Sequence, residues 1–201
     1  IVKIGRDRKE VKVSKRKGTV FELDDLIDEV GPDVCRFMFL NRTTNSQFDF
    51  DLDLVAKQSS ENPVFYYQMG HARCAQILKR AAEAGSPFNE TVDDETLARL
   101  TMAEERGLLK KMAQFPDVVA GAAEALEPHR VLTFAGELIA DFHSYYTLGK
   151  KSGQRVISDD KTLTQGRLAM IAAVKQTLKN AFAMIGVDAP EYMASPADAE
   201  D

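Results

Sequence analysis

The spacing of apolar residues after residue 20 constrains the fold of this chain more than any other feature. The last predicted helix, residues 161–185, carries Leu168, Ile171 and Leu178 at intervals of three or seven residues. This spacing places them on one face of an α-helix. Gly186 follows, and glycine at this place is typical of a helix C-cap. The chain is therefore predicted to be mainly α.

Glycine and proline divide the chain into further predicted helices. Gly31 ends one helix, Pro32 begins the next, and Asn62 followed by Pro63 is typical of an N-cap and first helical position. The predicted helices before the last one cover residues 23–30, 32–40, 63–84 and 95–112, a short alanine-rich stretch ending near 126, and 128–149.

Strand signals are confined to the beginning of the chain. Two short stretches of apolar residues around a lysine, 1–4 and 11–13, flank a polar stretch at 5–9, which predicts a β-hairpin. Residues 45–53 are predicted to form a loop. The sequence thus predicts an α-helical bundle preceded by a short hairpin.

The hairpin leads into a strongly basic stretch, residues 12–19. Residues 1–20 contain eight Lys and Arg but only two Asp and Glu, whereas the rest of the chain has 18 basic against 29 acidic residues. Such local asymmetry favours contact with a polyanion.

Composition excludes several classes of protein. No apolar run approaches the ~20 residues needed to cross a bilayer. Cys35 and Cys74 lie among helix-period apolar residues and fit buried, reduced thiols of a cytoplasmic protein. The three histidines are far apart in the sequence, so no metal site is predicted.

Several motifs together resemble those of a known enzyme family. Residues 12–16, KVSKR, resemble the KMSKR signature of class I aminoacyl-tRNA synthetases. The order of the remaining motifs resembles that of arginyl-tRNA synthetases. They lie at residues 26–31, 48–53, 61–68, 71–73, 142–146 and 185–193.

The resemblance implies a division of the chain into three parts. Residues 1–59 would be the end of a Rossmann-type catalytic domain with its KMSKR-type loop, residues 60–193 a helical anticodon-binding domain, and residues 194–201 a flexible tail. The chain would correspond to the C-terminal part of the enzyme. It would lack aminoacylation activity alone, because the family's other catalytic motifs lie upstream.

The resemblance also assigns roles to residues of the basic loop. Lys12, Ser14 and Lys15 would stabilise charge on the ATP phosphates during catalysis, and Arg16 would join them in binding ATP. In the full enzyme ATP, with Mg²⁺, and arginine would be substrates, and this part would hold no cofactor tightly. The expected partner is tRNA, for a monomeric cytoplasmic protein without membrane contact.

The helical domain is expected to contact the middle cytosine of the anticodon. The resemblance assigns this role to Tyr66, Met69, Arg73, Met193 and one or both of the pair Tyr145 and Tyr146. Unpaired bases are recognised by stacking on aromatic and guanidinium faces. Spacing alone favours tyrosines that simply fill the seams between helices, whereas the resemblance favours a pocket for the base.

Two other functions remain open from the sequence. The chain could be the equivalent region of another class I synthetase, such as the cysteinyl enzyme. It could also be a non-catalytic helical interaction module without affinity for RNA, which the acidic balance after residue 20 would favour.

Replacing Lys15 tests the role of the basic loop. In a full-length enzyme carrying this chain, we expect Lys15→Ala to lower the rate of adenylate formation much more than it weakens tRNA binding. The reason is that a cation on the phosphates acts mainly in the transition state. Single-turnover kinetics measures the rate, and an unchanged rate would remove Lys15 from the chemistry.

Overall fold

The computed structural model describes residues 2–6, 9–10, 22–43 and 46–194. Their strands and helices, in chain order, are β1 (Val2–Arg6), β2 (Lys9–Glu10), α1 (Leu23–Val30), α2 (Pro32–Leu40), β3 (Phe48–Asp51), α3 (Leu52–Ala56), α4 (Pro63–Glu83), α5 (Asp94–Ala98), α6 (Ala103–Ala113), α7 (Phe115–Ala125), α8 (His129–Ser152) and α9 (Lys161–Ile185). The predicted mainly α fold is confirmed.

The basic stretch at residues 12–19 lies outside the described residues. The roles predicted for Lys12, Ser14, Lys15 and Arg16 therefore remain predictions. Most of the predicted tail, residues 195–201, also lies outside them.

Local capping signals place several helix ends where the sequence predicts them. The Asn62 side chain accepts hydrogen bonds from the backbone N–H groups of Val64 and Phe65 at the start of α4, at 3.0 and 3.4 Å. At the other end of the domain, α9 stops at Gly186, which takes a positive φ of 67°. Such ends are set by a few neighbouring residues and are therefore readable from sequence.

The prediction of a loop at residues 45–53 is wrong. Residues 48–51 form β3, which pairs in parallel with β1, and α3 follows directly. Phe48 and Phe50 are buried, and the two aspartates that alternate with them are exposed. This period-two burial is that of a strand with one covered face. The sheet order is β2-β1-β3, with β1 and β2 antiparallel. The pairing joins residues 2–6 to 9–10, and the second predicted strand, residues 11–13, lies outside the described residues.

The predicted helix at residues 95–112 is divided in two. It separates into α5 and α6, and the connection contains the buried Leu100. The α8 helix also continues to Ser152, three residues beyond the predicted end at residue 149. Burial of Leu100 accompanies the first difference, and local propensity does not report burial. The added residues of α8, 150–152, are exposed, and the helix ends where Gly153 takes a positive φ of 75°.

The core lies between α4, α6, α8 and α9. Its largest fully buried side chains on α8 and α9 include Phe142, Leu138, Phe182 and Ile171. Cys35 and Cys74 are buried free thiols, as predicted. No helix of the described part is long and apolar enough to cross a membrane. Within the same residues, no cluster of His, Cys, Asp and Glu has the geometry to hold a metal ion.

A buried ion pair joins α6 to α9. Arg167 Nε donates to Glu105 Oε1 at 2.8 Å, and both side chains are almost completely excluded from solvent. The same guanidinium donates from Nη1 to the carbonyl of Arg155 at 2.7 Å and from Nη2 to Gln154 Oε1 at 3.2 Å. Arg167 therefore also fixes the loop between α8 and α9.

Removing one partner of this pair should strongly destabilise the fold. We expect Glu105→Ala to lower the free energy of unfolding by about 3–5 kcal/mol, because an uncompensated guanidinium remains buried. Urea denaturation measures the change. The exposed carboxylate Glu83, which pairs with Lys79 at 3.9 Å, provides the control. Glu83→Ala should leave stability nearly unchanged, and an equally small effect of Glu105→Ala would contradict the account.

Candidate nucleic-acid interface

A groove lies between α4, α8 and the C-terminal segment, residues 187–193. Its volume is about 450 Å³. The residues lining it are Met69, Ala72, Arg73, Gln76, Ile77, Arg80, Tyr146, Thr147, Lys150, Tyr192 and Met193. Three of these described residues are cations and none is a carboxylate, so the groove offers aromatic and apolar surface beside positive charge.

Four of the residues predicted to contact RNA meet in this groove. They are Met69, Arg73, Tyr146 and Met193. Arg73 is exposed on α4, one helical turn after Met69. The predicted residues thus come from three different elements and converge on one surface.

Two further residues of the groove, Tyr192 and Lys150, are not among those assigned to RNA contact from the sequence. Tyr192 is two-thirds exposed and lies at the groove beside Met193. The Nζ of Lys150 lies 4.8 Å from the centre of the Tyr146 ring. The i, i+4 spacing of Tyr146 and Lys150 on one helix was a signal for this cation–π pair.

Tyr66 lies beside the groove in a neighbouring depression. This depression is also lined by His143, Ser144 and Thr147, and Thr147 lines the groove as well. The Tyr66 and His143 rings meet edge to face, with centroids 5.5 Å apart. Burial raises the pKa of Tyr66, and the charge of Arg73 opposes that shift.

The structure places Tyr145 in the core. It is 1% exposed, and its buried hydroxyl has no hydrogen-bond partner within the described part of the chain. Burial raises its pKa. Successive residues of a helix point about 100° apart, so when Tyr146 faces the groove Tyr145 cannot. Of the two candidates, Tyr146 is the one at the groove.

Side chains of α4 hold the C-terminal segment in place. His71 Nδ1 lies 2.9 Å from the carbonyl of Pro190, and Gln76 Nε2 donates to the carbonyl of Glu191 at 3.0 Å. Lys175 of α9 pairs with the Glu191 carboxylate at 2.6 Å. His71 is fully buried, and burial is the main cause of its lowered pKa.

The other end of the segment is fixed by α2. Asp33 Oδ2 accepts from the backbone N–H of Asp188 at 3.0 Å. Arg36 Nη1 donates to the carbonyl of Gly186 at 2.9 Å. A cation at this place stabilises the carbonyl end of α9. Together with the contacts from α4, these hydrogen bonds fix the path of the segment between the end of α9 and the groove.

Comparisons with known proteins agree with this geometry. Residues 67–193 match the family model described as the DALR anticodon binding domain. The fold and the groove therefore define a helical anticodon-binding domain. Because the match covers more than half of the chain, this protein belongs to the DALR anticodon-binding domain family.

Individual relatives connect the chain to one enzyme. It is 51% identical, over 98% of its length, to an arginine–tRNA ligase from Anaeromyxobacter sp. (strain Fw109-5). Among solved structures it resembles an arginyl-tRNA synthetase from Campylobacter jejuni, with a TM-score of 0.76, 25% identity, and coverage of 96% of this chain and 40% of that one. The Thermus thermophilus enzyme shares the fold, with a TM-score of 0.68, 22% identity, and coverage of 89% and 29%.

The predicted resemblance to arginyl-tRNA synthetases is thus confirmed. The chain spans about a third of the length of the curated relatives it matches, covering 32% of the Anaeromyxobacter ligase.

Acidification tests the charge state of His143, the half-buried imidazole beside Tyr66. Burial, followed by the charge of Arg73, lowers the pKa of His143 to about 4. The unfolded chain, in which a histidine titrates near ~6.5, then takes up this proton first. The stability that neutral His143 contributes is complete above pH ~6.5. It is lost as the pH falls toward about 4, the pKa of His143 in the folded protein.

We therefore expect His143→Phe to lose less stability than the wild type between pH 7 and pH ~4.5. Urea unfolding of both proteins at several pH values measures the difference. Comparison at pH ~7.5, where a histidine of ordinary pKa is neutral, gives the baseline effect of the substitution itself. Parallel pH profiles would contradict a neutral His143 in the folded protein.

Proposed function

We propose that this chain binds the anticodon stem-loop of arginine tRNA as part of an arginine–tRNA ligase, which joins arginine to its tRNA at the expense of ATP. The convergence of Arg73, Tyr146 and Tyr192 in one groove without a carboxylate carries this proposal. An unpaired base needs aromatic or guanidinium faces for stacking, and its phosphates need cations.

Each groove residue has a role in this proposal. Tyr146 and Tyr192 provide stacking faces, and Met69 and Met193 enclose the base with adaptable apolar surface. The Arg73 guanidinium carries only donors, which suit the neighbouring acceptors O2 and N3 of cytosine. Guanine presents N–H donors on the corresponding edge, so the groove should reject it. Tyr66 would support Arg73 from the adjacent depression.

The ATP side of the reaction belongs to residues before α1. Lys12, Ser14, Lys15 and Arg16 would bind the ATP phosphates, and Mg²⁺ would accompany ATP in the longer protein. Residues 1–59 would then belong to the catalytic unit and residues 60–193 to the anticodon-binding domain. The complete ligase would act as a cytoplasmic monomer, and this chain alone would not aminoacylate tRNA.

Fluorescence anisotropy with two RNA stem-loops tests the proposal. One carries the arginine anticodon, and the other has guanine in place of the middle cytosine. We expect the chain to prefer the cytosine loop, and Tyr146→Ala to weaken its binding about tenfold, in line with ~1–3 kcal/mol per stacked base. Arg73→Gln should remove most of the preference for cytosine.

Arg106→Gln is the matched control for Arg73→Gln. Arg106 is an exposed cation on α6 outside the groove, so its loss makes the same change in net charge. Binding by this control should keep the cytosine preference. Equal affinity of the unaltered chain for both loops would overturn the proposal, as would an equal loss of preference in both variants.

A further inference from the structure

Four exposed cations surround the groove and the cavity next to it. Arg73, Arg80 and Lys150 line the groove. Arg80 and Lys150 also line an adjacent cavity of about 620 Å³, together with Arg155. No carboxylate is among the described residues that line either one. These four cations form one basic surface.

The positive charge of the basic surface is not neutralised by the described part of the chain. None of its four side chains forms a salt bridge with a described carboxylate. Other cations nearby are paired. Lys79, the neighbour of Arg80 in the sequence, pairs with Glu83 at 3.9 Å. A cluster of exposed charges of one sign attracts a segment of the opposite sign.

The chain itself supplies such a segment directly after the groove. Residues 195–201, the acidic tail, contain Asp198, Glu200 and Asp201 and no lysine or arginine. These residues lie outside the described part of the chain. Their composition gives the tail a net charge of −3 at pH 7 (no basic and three acidic residues). The tail is therefore complementary in charge to the basic surface.

The acidic tail begins at the edge of the groove. Met193 lines the groove with Arg80 and Lys150, and only Ala194 separates it from the tail. A chain spans at most ~3.6 Å per residue, so the first acidic residue can lie up to ~14 Å from Ala194 and the last up to ~25 Å. The tail is thus long enough to reach the basic surface.

The start of the acidic tail is held in a fixed position. Gln76 donates to the carbonyl of Glu191, and Lys175 pairs with the carboxylate of the same residue. A short tether from a fixed point gives an effective concentration in about the millimolar range. Single exposed ion pairs are weak, but several of them at this concentration hold a tethered segment in place for a large part of the time.

We propose that the acidic tail docks on the basic surface and competes there with the phosphates of bound RNA. Its three carboxylates would pair with Arg80, Lys150 and Arg155, and RNA would displace them before its phosphates reach these cations. The tail would then favour RNA whose base contacts in the groove are strong enough to displace it. The docking is independent of the proposed function, whereas the competition rests on it.

Zero-length crosslinking tests the docking without RNA. A carbodiimide joins a carboxylate to a lysine amine only when the two are in contact, and mass spectrometry of the peptides identifies the pair. The full 201-residue chain carries a matched pair of lysines for this purpose. Lys150 belongs to the basic surface, whereas Lys151 is also exposed but lines the depression beside Tyr66.

We expect the acidic tail to crosslink to Lys150 at least about fivefold more than to Lys151 at low salt, because docking adds to the effect of the tether. At ~1 M salt, where the Debye length falls to ~3 Å, this difference should be largely lost. Arg80→Gln should lower the yield at Lys150. Arg106→Gln, which removes an exposed cation outside both the groove and the cavity, should not.

Two results would overturn the docking. One is equal yields at Lys150 and Lys151, including no crosslink to either. The other is a tail joined mainly to the lysines of residues 12–17, which would show that the basic stretch near the beginning of the chain is its partner.

Binding of the arginine anticodon stem-loop tests the competition. We expect a chain that ends at Ala194 to bind it about threefold more tightly at low salt, because a tail docked for about two-thirds of the time leaves about one-third of the molecules competent. A second variant keeps the length of the tail and removes its charge, and it should have the same effect. It combines Asp198→Asn, Glu200→Gln and Asp201→Asn.

A control variant separates docking from a general change in net charge. It neutralises three exposed carboxylates that line neither the groove nor the cavity. Their charges are distributed over other parts of the surface and are screened by salt, so this variant should change the affinity little. It combines Glu90→Gln, Glu124→Gln and Asp141→Asn.

The outcomes separate this proposal from the proposed function. If neither tail variant tightens binding, the competition is overturned. If the control variant tightens binding as much as the tail variants do, the effect is one of net charge and the competition is likewise overturned. If the unaltered chain does not prefer cytosine over guanine, the proposed function fails, while the crosslinks to Lys150 still decide whether the tail docks.

Discussion

The close packing of α4 against α8 is the interaction on which the rest of the structure depends. An added Cβ at Gly70 would lie 2.8 Å from Ile139, so only glycine allows the two helices to approach this closely. That contact fixes the rotation of α4. His71 and Cys74 then face the core completely buried, whereas Arg73 emerges at the groove. One face of α4 therefore packs into the core, and another face forms part of the groove.

The groove has a third wall because the chain returns to α4 after α9 ends. The backbone of this segment makes few hydrogen bonds with itself, and the side chains of Asp33, His71 and Gln76 supply partners instead. Asp33 belongs to α2, in the region assigned to the catalytic unit, and the other two belong to α4. The position of Tyr192 at the groove therefore depends on both parts of the chain.

Features set by neighbouring residues could be predicted from the sequence. Asn62 and Gly186 fix the ends of two long helices through their own side chain or backbone conformation, and both ends were predicted. The strand β3 was missed because its partner, β1, is more than forty residues earlier in the chain. Two buried phenylalanines are too short a pattern to indicate that pairing.

Some residues of the candidate site could likewise be predicted from the sequence, and others could not. Met69 and Arg73 are one helical turn apart, so their common surface follows from spacing, and the motifs of the resemblance selected them. The choice between Tyr145 and Tyr146 depends on the rotation of α8, which tertiary packing decides. The place of Tyr192 at the groove depends on how separate elements meet, which no local pattern contains.

Photocrosslinking provides the most direct test of the central claim that the groove receives the middle anticodon base. A stem-loop with 5-iodocytidine at that position would be irradiated in complex with the chain, and the attached residue identified by mass spectrometry. The account predicts crosslinks to Tyr146 or Tyr192 and none to the buried Tyr145. Crosslinks confined to residues before α1 would show that the RNA binds only the basic stretch, and would contradict it.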